Sequence, residues 1–262
     1  MLTPAQFHTL HRPGDPLVLP NAWDLASARW LHAVGFAVVG TTSLGVAFAA
    51  GRVDGAGETA DETLELARRI THAGIAVTVD LEAGFSDDPD EVGRFAERLA
   101  RLGIVGVNLE DSDATGRLVD ADTAARKVAA VSAAAPELYL NARTDAFWVG
   151  GTADPTSRTR EAVSRAHRYL AAGASGIFVP GAIPLDVMAS LTRDIPAPVN
   201  VLVQSGVAVP KLATVGVARV STGSLLFRVA LGAIEAAARE VRDGSGAPAR
   251  RIPSYEEVAG LS

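Results

Sequence analysis

One unit recurs along this chain and limits what it can fold into. A stretch of helical periodicity ends at a glycine, and a short apolar run follows. Ala33-Val34-Gly35-Phe36 leads into Ala37-Val38-Val39-Gly40-Thr41-Thr42, and His72-Ala73-Gly74-Ile75 leads into Ala76-Val77-Thr78-Val79-Asp80. The same step recurs at Gly103 before Val105-Gly106-Val107-Asn108-Leu109-Glu110, at Gly173 before Gly176-Ile177-Phe178-Val179-Pro180, and at Gly216 before residues 218–222. A helix C-terminus favours a left-handed residue, which glycine supplies without a Cβ clash. The run after it lacks polar alternation, the mark of a strand covered on both faces in a parallel sheet.

Further apolar runs at 17–20, 138–144 and 199–204 bring the strands to eight. Helical patterns lie between them, at 25–33, 59–73, 89–102, 121–134, 158–172, 185–192, 210–215 and 225–241. Asp88 before Pro89 is a helix start, and Asp120 or Asp122 can cap the fourth helix. Eight β/α units in 262 residues predict a single (β/α)8 barrel domain of the TIM type over 1–262. The competing fold is an open doubly wound sheet, but no Gly-x-Gly-x-x-Gly turn follows the first strand. The tail, 243–262, is expected to be a partly ordered extension.

What is missing restricts the chemistry. With no cysteine there is no disulfide, thiolate metal site or thiol nucleophile. A net charge of −6 argues against a nucleic-acid partner. Lys127 and Lys211 end no strand, so a Schiff-base aldolase has no candidate. The histidines, His8, His11, His32, His72 and His167, fall in the N-terminal segment or in helices, and surface positions are expected for them. No Ser-His-Asp arrangement and no Walker-type loop occurs. The N-terminus lacks the pattern of a signal peptide and no run is apolar enough to span a membrane, so the expected compartment is the cytoplasm.

In such a barrel the active site lies at the C-terminal ends of the strands. Polar residues stand there: Asn21 and Asp24, Thr42-Ser43-Leu44, Asp80 and Glu82, Glu110 and Asp111, Asn141, Arg143 and Asp145, then Gln204 and Ser221. Residues i and i+2 on a strand point to one side, so Asp80 and Glu82 converge, and two close carboxylates need a cation or a proton between them. With Glu110 one strand over, three hard oxygen donors suit Mg2+ or Mn2+. The alternative is that Asp80 caps a helix while Glu82 and Glu110 are solvated loop charges. Arg143 at a strand rim can grip a carboxylate by a two-pronged bond, or it can pair with Glu110 or Asp145. Backbone N–H groups of Thr42-Ser43-Leu44-Gly45 could cradle an anionic oxygen.

Six segments together resemble the isocitrate lyase / phosphoenolpyruvate mutase superfamily. They are Asn21-Ala22-Trp23-Asp24, Gly40-Thr41-Thr42-Ser43, Val53-Asp54-Gly55, Asp80-Leu81-Glu82-Ala83-Gly84-Phe85, Asn108-Leu109-Glu110-Asp111 and Asn141-Ala142-Arg143-Thr144-Asp145. Order and spacing are kept over residues 17–235. The resemblance implies a Mg2+-dependent (or Mn2+-dependent) barrel acting next to an enolate of a 2-oxo acid. It implies Asp80 as direct metal ligand, and Asp54, Glu82 and Glu110 as acids holding metal-bound waters. It implies Thr42, Ser43 and Leu44 as the substrate-carboxylate loop, and Arg143, with Glu110 and Asp54, as catalytic. A homodimer or homotetramer follows from it too, with the last helix often exchanged between neighbours.

The departures matter as much. The lyases of that superfamily carry a Lys-Lys-Cys-Gly-His loop after the strand bearing Glu110, and its cysteine is the general acid. Here the loop is Ser112-Asp113-Ala114-Thr115-Gly116-Arg117-Leu118-Val119. The longer loop of the mutases is also absent, and Val179-Pro180 stands where mutase-like members have a histidine. The chain thus looks like a carboxyvinyl-carboxyphosphonate phosphorylmutase-like member without the lyase cysteine loop. The expectation is a Mg2+-dependent lyase of a small 2-oxo acid or its hydroxy-di- or tricarboxylate precursor, acting by C–C cleavage or decarboxylation. Phosphonopyruvate-type P–C chemistry and a non-catalytic 2-oxo acid binding protein are the alternatives. Asp113, Thr115 and Arg117 are the polar candidates of the lid, or residues of a solvated loop.

Overall fold

The fold is described from a computed structural model, for residues 1–149, 154–244 and 251–261. Nine strands form one parallel sheet: β1 (Leu17–Leu19), β2 (Asn21–Ala22), β3 (Val38–Thr41), β4 (Ala76–Asp80), β5 (Gly106–Glu110), β6 (Tyr139–Arg143), β7 (Gly176–Val179), β8 (Val199–Leu202) and β9 (Arg219–Ser221). Among the described residues the α-helices are α1 (Pro4–Thr9), α2 (Leu25–Ala33), α3 (Ser43–Ala49), α4 (Ala60–His72), α5 (Pro89–Ala100), α6 (Ala121–Ala134), α7 (Pro155–Ala171), α8 (Leu185–Asp194), α9 (Val209–Ala213), α10 (Leu225–Arg242) and α11 (Tyr255–Ala259). A 3-10 turn lies at Asp145–Phe147.

The sheet curls into a nearly closed TIM-type barrel, because the expected first strand is shared by both of its edges. Proline has no backbone N–H and cannot continue a ladder as donor. Pro20 therefore splits that strand: β1 pairs with β9, and β2 pairs with β3. The Leu19 carbonyl accepts from Thr222 N at 3.1 Å, and the Pro20 carbonyl accepts from Gly40 N at 2.8 Å. The Asn21 side chain covers the break. Its Nδ2 donates to Thr41 O at 2.7 Å, and its Oδ1 accepts from Gly223 N at 2.9 Å. Counting β1 and β2 as one interrupted strand gives the eight expected from sequence.

The glycine of each repeat sits where predicted, left-handed at a helix C-terminus, with φ of 78° at Gly74 and 101° at Gly173. Asp88 and Asp120 cap α5 and α6 by accepting from Asp90 N and Thr123 N. Helix α7 begins before the expected residue 158, because Asp154 caps it and Pro155 suits a first helical turn. Helices α1, α3 and α11 were not apparent from periodicity, being too short to show it. Of the tail, residues 245–250 and 262 lie outside the described residues.

Helix α1 plugs the N-terminal end of the barrel. Its one buried apolar residue, Phe7, joins Leu19, Val38, Ala76, Val105 and Tyr139, and burying such a ring contributes about 2 kcal/mol. Tyr139 points across β7, where any side chain at Gly176 would collide with its hydroxyl. His11 stacks on the Tyr139 ring at 3.7 Å between centroids and bonds through Nδ1 to Phe7 O at 2.9 Å. This corrects the expectation of a surface histidine, since His11 is 6% exposed.

Burial, followed by the nearby Arg219 charge, pulls the His11 imidazole down from 6.5 to about 3. The folded protein thus keeps His11 neutral where the unfolded chain protonates it. Its contribution is complete above pH 6.5 and is lost as pH falls toward 3. Between about pH 7 and about pH 5 this one group should remove about 2 kcal/mol of stability. Urea unfolding of His11→Phe at both values should show a smaller acid-dependent loss than the parent; equal losses would refute the assignment.

Candidate active site

Because every strand runs in one direction, all eight C-terminal ends open at one mouth. A cavity of about 500 Å³ lies there. On the arc from β3 to β6 it is lined by Thr42, Ser43, Leu44, Asp80, Glu110 and Arg143, with Asp54 and Gly55 from the loop after α3. On the arc of β7 and β8 the lining turns apolar: Phe178, Pro180 and Leu202, joined by Trp148 and Val149.

Asp80 ends β4, and its amide donates to Thr41 Oγ1 at 2.9 Å. Burial pushes its carboxyl up and Asp54 adds to this, while Arg143 and the backbone N–H groups of Ser43 and Glu82 pull the other way. The Ser43 N–H expected to cradle a substrate oxygen is therefore directed at Asp80. Thr42 precedes α3 without capping it through its side chain.

Glu82 does not line the cavity. Its Oε1 accepts from Thr59 Oγ1 at 2.7 Å and its Oε2 from Gly57 N at 3.2 Å, so it pins the 57–59 loop from behind. This follows from the backbone: Glu82 has φ of 50° and Phe85 has φ of 60°. Non-glycine residues in that region are held at a cost of about 1–3 kcal/mol each and gather at functional sites. Lys127 secures the turn by donating from Nζ to Ala83 O at 2.9 Å. The i, i+2 expectation for Asp80 and Glu82 fails because the strand ends at Asp80.

Arg143 ends β6 between two acids. Its Nη1 lies 2.7 Å from Glu110 Oε2, and its Nε and Nη2 reach the two Asp145 oxygens at 2.6 and 3.1 Å. The pairing foreseen as an alternative is thus present. Three of the five guanidinium N–H groups are engaged, which leaves two for a ligand. Burial pushes Glu110 up to about 8, opposed by Arg143 and reinforced by Asp145, Asp80 and Glu82. Burial works against the Arg143 charge as well, yet Glu110, Asp145 and Asp80 outweigh it and the guanidinium stays ionised.

The remaining strand-end candidates divide. Asp24 caps α2 by accepting from Ser27 N at 2.7 Å. Asp111 is buried with Tyr169 OH at 2.6 Å and Arg165 Nη1 at 3.1 Å, facing outward from the barrel. Gln204 ties Ile183 N to Gly181 O. Asn21 and Ser221 do line the cavity, while Asn141 lies below it and donates to Asn108 Oδ1 at 2.9 Å. The lid candidates form a small hairpin bridged between Ser112 and Leu118. Asp113 Oδ1 accepts from Thr115 N, Thr115 Oγ1 and Arg117 N, and Asp113 alone of the three lines the cavity.

Two residues escaped the sequence reading. Asn108 lines the cavity floor, and beneath it Arg219 is wholly buried. Arg219 donates from Nε to Ser221 Oγ at 3.0 Å and from Nη2 to Asn108 Oδ1 at 3.3 Å. Burial pulls its guanidinium down to about 10. A lone charge inside an apolar strand run was the signal available.

Removing Arg143 would leave Glu110 and Asp145 buried without their cation. Arg143→Ala should cost about 3 kcal/mol in urea unfolding at neutral pH. A loss below about 1 kcal/mol would mean that water, not Arg143, balances these acids.

The chain matches the family described as phosphoenolpyruvate phosphomutase over residues 7–242. It is 44% identical to an uncharacterised protein of Mycobacterium tuberculosis over 255 residues, 97% of this chain and 95% of that one. It is 27% identical to 2-methylisocitrate lyase of Bacillus subtilis over 182 residues, 66% of this chain and 58% of that enzyme. A Burkholderia cenocepacia structure described as a phosphonomutase aligns with a TM-score of 0.86 at 38% identity, covering 91% of this chain and all (100%) of the other. The fold of 2,3-dimethylmalate lyase aligns with a TM-score of 0.84 at 22% identity, covering 100% of this chain and 95% of the other. Barrel, motif order and these likenesses agree: the chain belongs to the phosphoenolpyruvate mutase / isocitrate lyase superfamily, which includes lyases and mutases.

Proposed function

We propose that this protein is a Mg2+-dependent lyase that cleaves a C–C bond beside the 2-oxo acid head of a small hydroxy- or oxo-dicarboxylate. The observation that carries the reading is the juxtaposition of buried acids and one guanidinium at the cavity wall. Among the described residues no group of three or more acids and histidines is arranged to hold a metal ion by itself. The proposed ion is Mg2+, which keeps several waters and takes few direct protein ligands. Asp80 would be the direct ligand. Asp54 and Glu110 would hold metal waters, and Glu82 would fix the loop behind them. Burial and mutual repulsion raise Asp80 and Glu110, and a divalent cation relieves both.

When bound, Mg2+ supplies Lewis-acid stabilisation of an oxygen on which negative charge develops. The chain does the rest. Arg143 offers its two unused N–H groups to the substrate carboxylate or keto oxygen. Thr42, Ser43 and Leu44 wall the head group, and Asp54 and Glu110 serve as the nearby proton-handling acids. Trp148 and Phe178 form part of the cavity's apolar side.

A self-association reading has its own support. Among the described residues, helix α10 buries only Phe227, which packs on Trp23 at 5.4 Å. Leu231, Ile234 and Val241 follow at helical spacing and are 46%, 64% and 62% exposed. A homodimer or homotetramer would cover them. No helix among the described residues is long and apolar enough to cross a membrane, in keeping with a cytoplasmic enzyme.

Turnover should be assayed with and without Mg2+ on oxaloacetate, 2,3-dimethylmalate, 2-methylisocitrate and phosphonopyruvate. Metal-dependent release of a 2-oxo acid or of an acid product supports the lyase. Phosphate release points to P–C chemistry, and ligand-induced stabilisation without turnover points to a binding protein. Asp80→Ala should abolish Mg2+-dependent oxalate binding in calorimetry. Arg143→Lys should weaken it about tenfold, because a lysine cannot reproduce the guanidinium fork. Ile234→Glu should lower the mass measured by light scattering; an unchanged mass would remove α10 from the interface.

A further inference from the structure

One step below the mouth the barrel interior holds polar side chains. Asp80 pairs in register with Asn108, Asn108 with Asn141, and Asn200 with Arg219. Asn108, Asn141, Asn200 and Arg219 are all buried. A (β/α)8 barrel ordinarily packs such a layer with branched apolar residues. A guanidinium in that place costs desolvation, and among the described residues no carboxylate bonds to it.

The arginine fixes the polarity of what lies above it. It carries donors and no acceptor, so any oxygen it touches must face it. Arg219 Nη2 donates to Asn108 Oδ1 at 3.3 Å, and Asn141 Nδ2 donates to the same oxygen at 2.9 Å. The Asn108 amide therefore has its oxygen turned down into the barrel and cannot present it to the cavity. Its nitrogen is the end left over. Among the described residues Nδ2 has no partner, and it is not one of the buried atoms without one, so it opens on the cavity that Asn108 lines. Ser221 is held in the same way. Its Oγ accepts from Arg219 Nε at 3.0 Å and donates to Asn200 Oδ1 at 3.1 Å, which commits its proton below the floor.

The place of the Asn108 donor gives it a use. Asn108 is level with Asp80 on the next strand. Asp54, Asp80 and Glu110 line the same cavity and, when ionised, offer only acceptors. An anionic ligand oxygen beside them needs a donor, and Asn108 supplies one that is already oriented. Burial pulls the Arg219 guanidinium down only to about 10, so it stays charged at neutral pH.

We propose that Asn108 is a ligand-binding residue whose Nδ2 donates to an anionic oxygen of the bound 2-oxo acid, and that Arg219 is the positioning residue that fixes its amide. This rests on the metal-dependent reading above and assigns two residues that reading does not use.

A double-mutant cycle read by calorimetry with oxalate and Mg2+ tests it, because oxalate presents anionic oxygens and nothing else. Asn108→Ala should weaken oxalate binding about tenfold, the loss of one charge-assisted hydrogen bond. Arg219→Gln, whose amide can accept as well as donate, lets the Asn108 amide turn and should also weaken binding about tenfold. The double variant should be only about tenfold to thirtyfold weaker than the parent, since Arg219 acts through Asn108. A loss of about a hundredfold, the product of the two, would mean that Arg219 acts by its charge alone and would overturn its positioning role. In the parent protein, where no variant has to fold, the side-chain amide resonance of Asn108 should move when oxalate is added with Mg2+. An unmoved resonance, or full affinity in either single variant, overturns the inference and leaves the metal-dependent site standing. If oxalate does not bind the parent protein with Mg2+ at all, the lyase reading falls and this inference falls with it.

Discussion

Closure of the sheet at Pro20 governs everything at the mouth of this barrel. A proline inside a strand ordinarily ends the ladder, because it donates nothing. Here one strand is split so that its first half completes β9 and its second half starts the pairing with β3. Asn21 makes the junction rigid by bonding to Thr41 on one side and to Gly223 on the other. Closure brings the ends of β2 and β9 together, so that Asn21 and Ser221 share one cavity with Asp80 and Arg143, which stand two strands apart on β4 and β6 within electrostatic reach of each other.

The mouth is then a problem in charge. Acids on β4, β5 and the loop after α3 share one small volume with Arg143. The arginine is kept by being paired, and Asp145 carries that pairing outward. Ser112 Oγ donates to Asp145 at 2.5 Å, the Asp145 amide donates to Asp111 at 2.8 Å, and Asp111 accepts from Tyr169 and Arg165. The site is thus anchored to α7 through a buried polar chain, which costs desolvation but fixes geometry. Below the site Arg219 adds a second buried positive charge under Asn108 and Ser221, two residues of the cavity floor. The strained turn at Glu82 and Phe85 belongs to the same design, since it turns Glu82 to the 57–59 loop that follows Asp54.

Family membership and the reaction performed are separate matters. The chain belongs to the superfamily, and the loop after β5 is a tight, self-bonded hairpin at 112–118. That hairpin spends the Asp113 carboxylate on its own turn and leaves the cavity without a second cation. The cavity is thus acidic on the arc of β3 to β6 and apolar on the arc of β7 and β8.

The sequence by itself determined the architecture. Glycines after helices and unalternating apolar runs are local signals, and local sterics with two-sided burial suffice to produce them, so eight units and their active end were legible. That Asp80, Glu110, Arg143 and Thr42–Leu44 line the cavity was legible too, because a parallel barrel gathers all its strand ends at one mouth. Only the tertiary structure decided how those residues use one another. Asp24 and Asp111 occupy equivalent places in the chain, yet one caps a helix and the other is buried against Tyr169 and Arg165. His11 was read as a surface residue, but the helix that closes the barrel carries it onto Tyr139. Glu82 turns away from Asp80, and Arg143 takes two acids at once. Partner choice among charges depends on distances between strands far apart in sequence, and no periodicity encodes those distances.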